Sequence, residues 1–435
     1  MQMDTWGLAV SATNGDAIKH LNATFDGYLG FRADVGERLK KTLAADPGCA
    51  LALCLRGYFM LLMMVRGLVP RAREALAAAH AVPGLTDREQ SHVKALAAWC
   101  DGDIGEALRQ WEAILTAHPL DILALKLAHF WHFYLGDARG MLNSVSKALA
   151  GWDERVPGYG YVLGLQAFGL EETGDYATAE RTGRRAIELN PADIWATHAV
   201  AHVMEMQDRP QDGVRWIESR TADFAGCNNF RFHVWWHRCL FHLALGDHDR
   251  VLELYDREVR AESTSEYLDI CNAVSLLWRL EDSGVATGRR WDEVAAQAAT
   301  RIDDHLLAFV DAHYTMALAA AGPAPALDAM LMSVRTCAAR GDTTEARVMA
   351  EVGATICDAA AAHRRRDWAR VIELLLPART AIVRIGGSHA QRDMFEQMLI
   401  SACLAGGHQT TARELLAERL RHRPNNQWAK ARLAV

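Results

Sequence analysis

Four histidines in the middle of the chain have the spacing of a ligand set. His198 and His202 lie one helical turn apart, and His233 and His237 repeat that pair 35 residues later. Residues four apart share one face of an α-helix, so each pair turns two imidazoles to one side. An offset of this size is about the length of one helical-hairpin repeat. The two pairs are therefore expected on equivalent helices of neighbouring repeats, facing a common surface. Imidazoles so placed can supply up to four nitrogen ligands to a divalent metal such as zinc, iron or manganese, with Glu205 or Asp311 completing or orienting the set. The structural alternative has the same rings bonded to one another, to Asp269 or to water, and stacked on Trp235 and Trp236. Without metal, His202 or His237 beside a carboxylate is a general base near neutral pH.

Polar residues recur at this phase of the repeat. His129 stands 69 residues before His198, Asp269 follows His233 by 36, and Asn272 follows His237 by 35. A polar seam in otherwise apolar helices needs a partner, either solvent in a groove or a ligand in a pocket. His129, Trp236 and Asp269 are accordingly read as substrate-contacting positions. In DAHYTMAL, Asp311 and His313 are two apart and point in different directions on a helix, so one of them is expected to face the pocket as a catalytic group. GGSHAQRD has a structural explanation: Gly386 and Gly387 close one helix in a left-handed conformation, and Ser388 with Gln391 forms a capping box for the next. A functional reading adds that this helix start, with Ser388, Arg392 and Asp393, attracts a carboxylate or phosphate. The nine cysteines lack ligand spacing, and neither a phosphate loop nor a serine nucleophile elbow is present.

The elements that must carry these residues are helices. Ala and Leu dominate, and alternating β-branched runs are missing, which makes the chain all-α. Stretches of about 12 to 18 residues are divided by GLTDREQ, CDGD, LGDARG, ETGDY, LGDHD and LAGGHQ, the punctuation of helical hairpins. Pro47, Pro119 and Pro191 each follow an apolar helix at intervals of 72, two units of 36, and Pro83 falls midway in the first interval. The predicted architecture is a single α-solenoid over residues 1–435, more regular over about 30–250 and irregular over about 251–435. The loops lengthen around SGVATGRRW and AAGPAPAL, and ARELLAERLRHRPNNQWA looks like a late repeat or cap. Trp111, Trp195, Trp216 and Trp368 read most simply as packing between helices.

Bulk properties narrow the partners. Of 435 residues, 50% are hydrophobic and 23% charged, and the net charge of −7 comes with no basic block. Nucleic acid and anionic membrane are thereby disfavoured. The window Leu51 to Val69 is interrupted by Arg56 and Arg66 and suits a buried helix better than a bilayer span. No secretory signal opens the chain, and cysteines without Cys-x-x-Cys pairs fit a reducing compartment, so a cytoplasmic location is expected.

Several motifs together resemble the tetratricopeptide repeat protein 38 family: YVLGLQAFGLEE from Tyr161, HAVAHVMEMQ from His198, HVWWHRCL from His233, SLLWRLE from Ser275, GRRW from Gly288, DDHLLAFVDAHYTMAL from Asp303 and ELLLPARTAIVRIGGSHAQRDMFEQMLI from Glu373. GDYATAERTGRRAIELNP, from Gly174, also follows the tetratricopeptide second-helix pattern. The resemblance implies a tetratricopeptide-like array whose first helices line the concave face, and it implies no reaction. His132 stands where relatives are expected to have an aromatic residue, whereas His129 fits. The expectation is an enzyme with a His-lined cavity, performing acid–base or metal-assisted hydrolysis or lyase-type cleavage on a small anionic molecule. The alternative is a non-catalytic scaffold holding a peptide or protein in its groove.

Overall fold

The computed structural model describes residues 1–434 and is all-α apart from one short hairpin. Helices come in consecutive pairs, Gly15–Leu29 with Val35–Ala45, Ala50–Leu62 with Val69–His80, Asp87–Cys100 with Ile104–Ala117, Ile122–Tyr134 with Ala138–Ala148, and Tyr159–Glu172 with Tyr176–Leu189. First helices thus begin at 15, 50, 87, 122, 159 and 194, a period of 35 to 37 residues, as the prolines predict. These are tetratricopeptide-like hairpins.

Two local devices set the period. Within a hairpin, Gly102, Gly136 and Gly174 turn the chain at φ of 76°, 68° and 89°. The aspartates that follow them cap the second helices: Asp103, Asp137 and Asp175 accept from the amides of Glu106, Gly140 and Thr178 at 3.0, 2.8 and 3.2 Å. Each such cap is worth about 1 kcal/mol. Between hairpins, the residue before each proline is forced out of the α region. Asp46, His118 and Asn190 stand at φ −150°, −136° and −142°, and the helix before each of them stops there.

The chain divides into two compact units, Met1–Val200 with Thr221–Arg231, and Ala201–Arg220 with Phe232–Val435. In the first unit the helix Ile122–Tyr134 is buried almost all round. Ile122–Tyr134 hides even Lys126, which donates to the carbonyls of Tyr28 and Leu29 at 3.0 and 3.1 Å and sits 3.9 Å from the Phe31 ring centroid. Arg88 ties the N-terminus down through Asp4 at 3.3 Å and Asp121 at 3.1 Å, all three buried. The small antiparallel hairpin Gln2–Met3 with Ala9–Val10 is not foreseen by the all-α reading. It forms because the Asp4 carboxylate gathers the amides of Trp6 and Leu8 at 3.0 and 2.9 Å, a local turn with no helical periodicity to announce it. The window from Leu51 ends as the buried helix Ala50–Leu62, and no helix among the described residues is long and apolar enough to cross a membrane.

In the second unit the helix Phe230–Ala244, from Phe232 onward, and the helices Tyr267–Asp282, Ala308–Ala321, Ala354–Arg364 and His389–Ala405 play the first-helix part. Their starts are 37, 41, 46 and 35 residues apart, so the period loosens after Tyr267. A five-residue π-turn at Met349–Gly353 absorbs part of the excess, and another stands at Tyr255–Val259. All nine cysteines are free and buried.

Candidate functional site

The helix Ile194–Met206 crosses from one unit to the other after Val200, and its second half carries His202. Helix Phe230–Ala244, FRFHVWWHRCLFHLA, brings His233 and His237 into the same unit. These helices hold their polar residues inside because apolar residues, chiefly alanine, valine and methionine in the first and tryptophan, phenylalanine and leucine in the second, occupy most other positions. His202 and His237 are fully buried and His233 is 3% exposed. The His202 and His237 rings meet edge to face at 4.3 Å, and His233 stands 4.9 Å from His237. One ring nitrogen from each of the three lies within 4.8 Å of the others. Trp236 lies flat on His233, at 5.0 Å and 13°, and walls the cluster.

The chemistry of the trio follows from its burial. Desolvation holds His233 down at about 4, and it holds His202 and His237 well below the ordinary imidazole range, helped by the neighbouring rings. All three are neutral at physiological pH and keep a lone pair each. In His233 the lone pair is assigned: Nδ1 donates to Asn272 Oδ1 at 2.8 Å, which leaves Nε2 as the basic nitrogen. Three neutral imidazoles, one of them with its tautomer fixed, form the donor set of a borderline metal ion. The surroundings are cationic. Arg392 and His389 press electrostatically on His202, and Arg279 presses on His237. Arg279 is buried, lowered by desolvation to about 10, and bonded to the Ala390 carbonyl at 2.9 Å and to Ser275 Oγ.

The other residues expected at the site are distributed around it. Glu205 faces Arg423 at 3.4 Å, and burial pushes its carboxyl up. Asp393 is held by both guanidinium nitrogens of Arg419, whose charge keeps its carboxyl well below the usual range despite burial. Arg392 donates to the Gly387 carbonyl at the head of helix His389–Ala405. Ser388 and Gln391 make the expected capping box, with Ser388 Oγ accepting from the Gln391 amide at 3.2 Å. Gly387 has φ 81°, but Gly386, at φ 80° and ψ −164°, is extended in the mirror-image sense rather than left-handed helical. Asp269 accepts from Thr264 Oγ1 at 2.5 Å.

Asp311 and His313 are both buried and turn to different neighbours. Asp311 accepts from His305 Nδ1 at 2.9 Å, and His313 donates through Nδ1 to the Phe309 carbonyl at 2.7 Å. His129 and His198 belong to the first unit. His198 is enclosed by Phe168, Trp195 and Phe230 at 5.1 to 5.3 Å. His129 is packed against Phe168 and Trp195, both its ring nitrogens lack a hydrogen-bond partner, and burial lowers it to about 3.

Sequence reasoning missed Arg279 and His305. Arg279 lies on the same helix as Asn272, at a spacing of seven that carries a residue back to one helical face, and that signal was present. His305 has none. It lies at φ 42° in the lengthened connection before Ala308, where the repeat phase is lost, and its Nε2 reaches Ser333 Oγ at 2.8 Å.

No family model matches the sequence. Among solved structures, a tetratricopeptide repeat protein from Parabacteroides merdae is similar at 16% identity, over 58% of this chain and 91% of that one, with a TM-score of 0.40. Yeast Tom70 is similar at 13% identity, over 95% and 87%, with a TM-score of 0.34. The Naa15/Naa10 structure described as bound to HypK follows at 11%, over 96% and 59%, with a TM-score of 0.29.

Proposed function

We propose that the second unit binds a divalent transition metal through His202, His233 and His237, and that this centre acts on a small anionic molecule by metal-assisted hydrolysis or lyase-type cleavage. The observation that carries the reading is the convergence of three buried ring nitrogens within 4.8 Å, with His233 oriented by Asn272. Three protein nitrogens leave a fourth tetrahedral position for water or an anion, the pattern of catalytic zinc. Zinc suits an all-imidazole set better than manganese, which favours carboxylates, and within the second unit Glu205 and Asp393 are engaged by Arg423 and Arg419. Arg392 and Arg279 supply the positive field that suits an anionic substrate. The motifs from Tyr161, His198, His233 and Gly386 support membership of the tetratricopeptide repeat protein 38 family. A cytoplasmic setting is in keeping with nine free, buried thiols.

A specific observation favours a second reading, a non-catalytic scaffold for a peptide or protein partner. The imidazoles are sealed at 0 to 3% exposure, and within the second unit Glu205 and Asp393 are engaged by arginines, so neither serves them as a general base. Cobalt(II) titration separates the readings. Visible absorption typical of tetrahedral cobalt, lost in His237→Ala, together with chelator-sensitive turnover of a phosphate or carboxylate ester panel, supports the enzyme. A cobalt spectrum without turnover supports the scaffold, and no spectrum contradicts the metal centre.

A further inference from the structure

A cavity of about 680 Å³ lies within the second unit, at the carboxyl ends of helices Tyr267–Asp282, Ala308–Ala321, Ala354–Arg364 and His389–Ala405. Its size is that of a small-molecule site, and none of the three clustered histidines lines it. Trp368, expected from sequence as interhelical packing, is half-buried and forms a wall together with Trp278 and Trp291. The His363 ring sits between two of these indoles, 5.6 Å from Trp278 and 5.3 Å from Trp368, and burial lowers it to about 4, so it is neutral at physiological pH. Such a wall suits a flat aromatic ring.

The lining carries two carboxylates and two arginines, and three of these four charges have opposite partners. Glu281 is occupied by Arg364 and by Trp291 Nε1, each at 2.7 Å, and Asp282 by Ser401 Oγ at 2.6 Å and Arg432 at 2.7 Å. Arg366 also lines the cavity from an exposed position at its mouth, and among the described residues no carboxylate pairs with it. Its backbone is the second, independent sign. Arg366 has φ 59° immediately before the capping Asp367, whereas Gly136, Gly174 and Gly246 hold the same turn position before Asp137, Asp175 and Asp247, at 68°, 89° and 75°. Glycine adopts this conformation freely and arginine does not. A strained residue kept at the mouth of an aromatic cavity indicates a ligand group for its side chain. Opposite polarity comes from the four helix ends, whose last carbonyls carry partial negative charge.

We propose that this cavity binds an aromatic amino acid or a compound bearing the same three groups. The ring lies against Trp278 and Trp368, the carboxylate meets Arg366, and the ammonium points to the helix carboxyl ends. The test is calorimetric titration of the full chain with L-tryptophan, indole-3-propionate and tryptamine. Wild type binds L-tryptophan most tightly. Arg366→Gly weakens L-tryptophan and indole-3-propionate about tenfold or more while tryptamine is unchanged, and its melting temperature does not fall, because glycine fits the turn. Trp368→Ala weakens all three. Absence of heat with every probe, wild-type affinity for L-tryptophan in Arg366→Gly, or binding of either single-charge probe as tightly as L-tryptophan overturns the proposal.

Discussion

Replacing Asn272 distinguishes a metal centre from a piece of polar core. Its Oδ1 accepts from His233 Nδ1 at 2.8 Å, which fixes the ring and leaves Nε2 as the donor. Asn272→Leu keeps the branched shape and the number of heavy atoms and removes the acceptor, so His233 loses both its orientation and its tautomer. Losing an outer-shell partner of this kind typically costs about 10- to 100-fold in metal affinity, or ~1.4 to 2.8 kcal/mol. Asn272→Asp supplies a stronger acceptor and makes the imidazole more basic, so zinc affinity is expected at or above wild type. A core role gives a different order. The metal-free Leu variant then loses about 1 to 3 kcal/mol for the unsatisfied Nδ1–H, and the Asp variant loses at least as much for its buried charge. Zinc affinity, measured by competition with a chromophoric chelator, is compared with urea melts of the metal-free proteins. Equal zinc affinity in wild type and Asn272→Leu, with only the melts displaced, refutes the reasoning.

Other expectations follow from buried charge and backbone strain. Glu345 is buried, accepts from the Ala308 amide at 3.1 Å, and is pushed up from 4.5 to about 8 by desolvation. The folded state then holds a proton that the unfolded state releases between those values, so stability falls as pH rises from 4.5 to 8. At about 1.4 kcal/mol per pH unit the loss reaches up to ~5 kcal/mol; Glu345→Gln keeps the acceptor and should flatten this slope in denaturant titrations, and an unchanged slope contradicts the assignment. Asp121→Ala strips one partner from buried Arg88, the partner of His92 and the cap on Ala124, and should cost about 3 to 5 kcal/mol in urea unfolding. A loss under about 1 kcal/mol would mean that Asp4 alone satisfies Arg88. Arg366→Gly relieves a left-handed residue worth about 1 to 2 kcal/mol but adds the glycine entropy cost of about 0.5 to 1 kcal/mol. Its melting temperature should therefore stay level or rise, and a clear drop would show that the arginine side chain holds the turn.

What was legible in the sequence divides along the repeat. Asp103, Asp137 and Asp175 after their glycines, and the residues before Pro47, Pro119 and Pro191, mark helix ends by local chemistry alone, and the helices stop where those signals stand. Helical spacing places His202, His233 and His237, because i and i+4 share a face whatever the tertiary packing. A fixed offset pairs Asn272 with His237, yet it bonds His233, 39 residues away, because side chains from neighbouring helices meet across a turn and not only at equal phase. Glu205 and Asp393 could not be read as arginine partners, since Arg423 and Arg419 lie far along the chain from one or both of them. The pairing of His305 with Asp311 depends on an irregular loop at positive φ, which no period encodes.

Metal content measured by plasma mass spectrometry, on the full chain purified without a histidine tag and after metal is offered back, tests the central claim most directly. The account expects close to one zinc ion per chain in the wild type and almost none in the His202→Ala, His237→Ala double variant, with circular dichroism confirming that the variant is folded. A wild type that stays empty after zinc, iron and manganese have each been offered contradicts it.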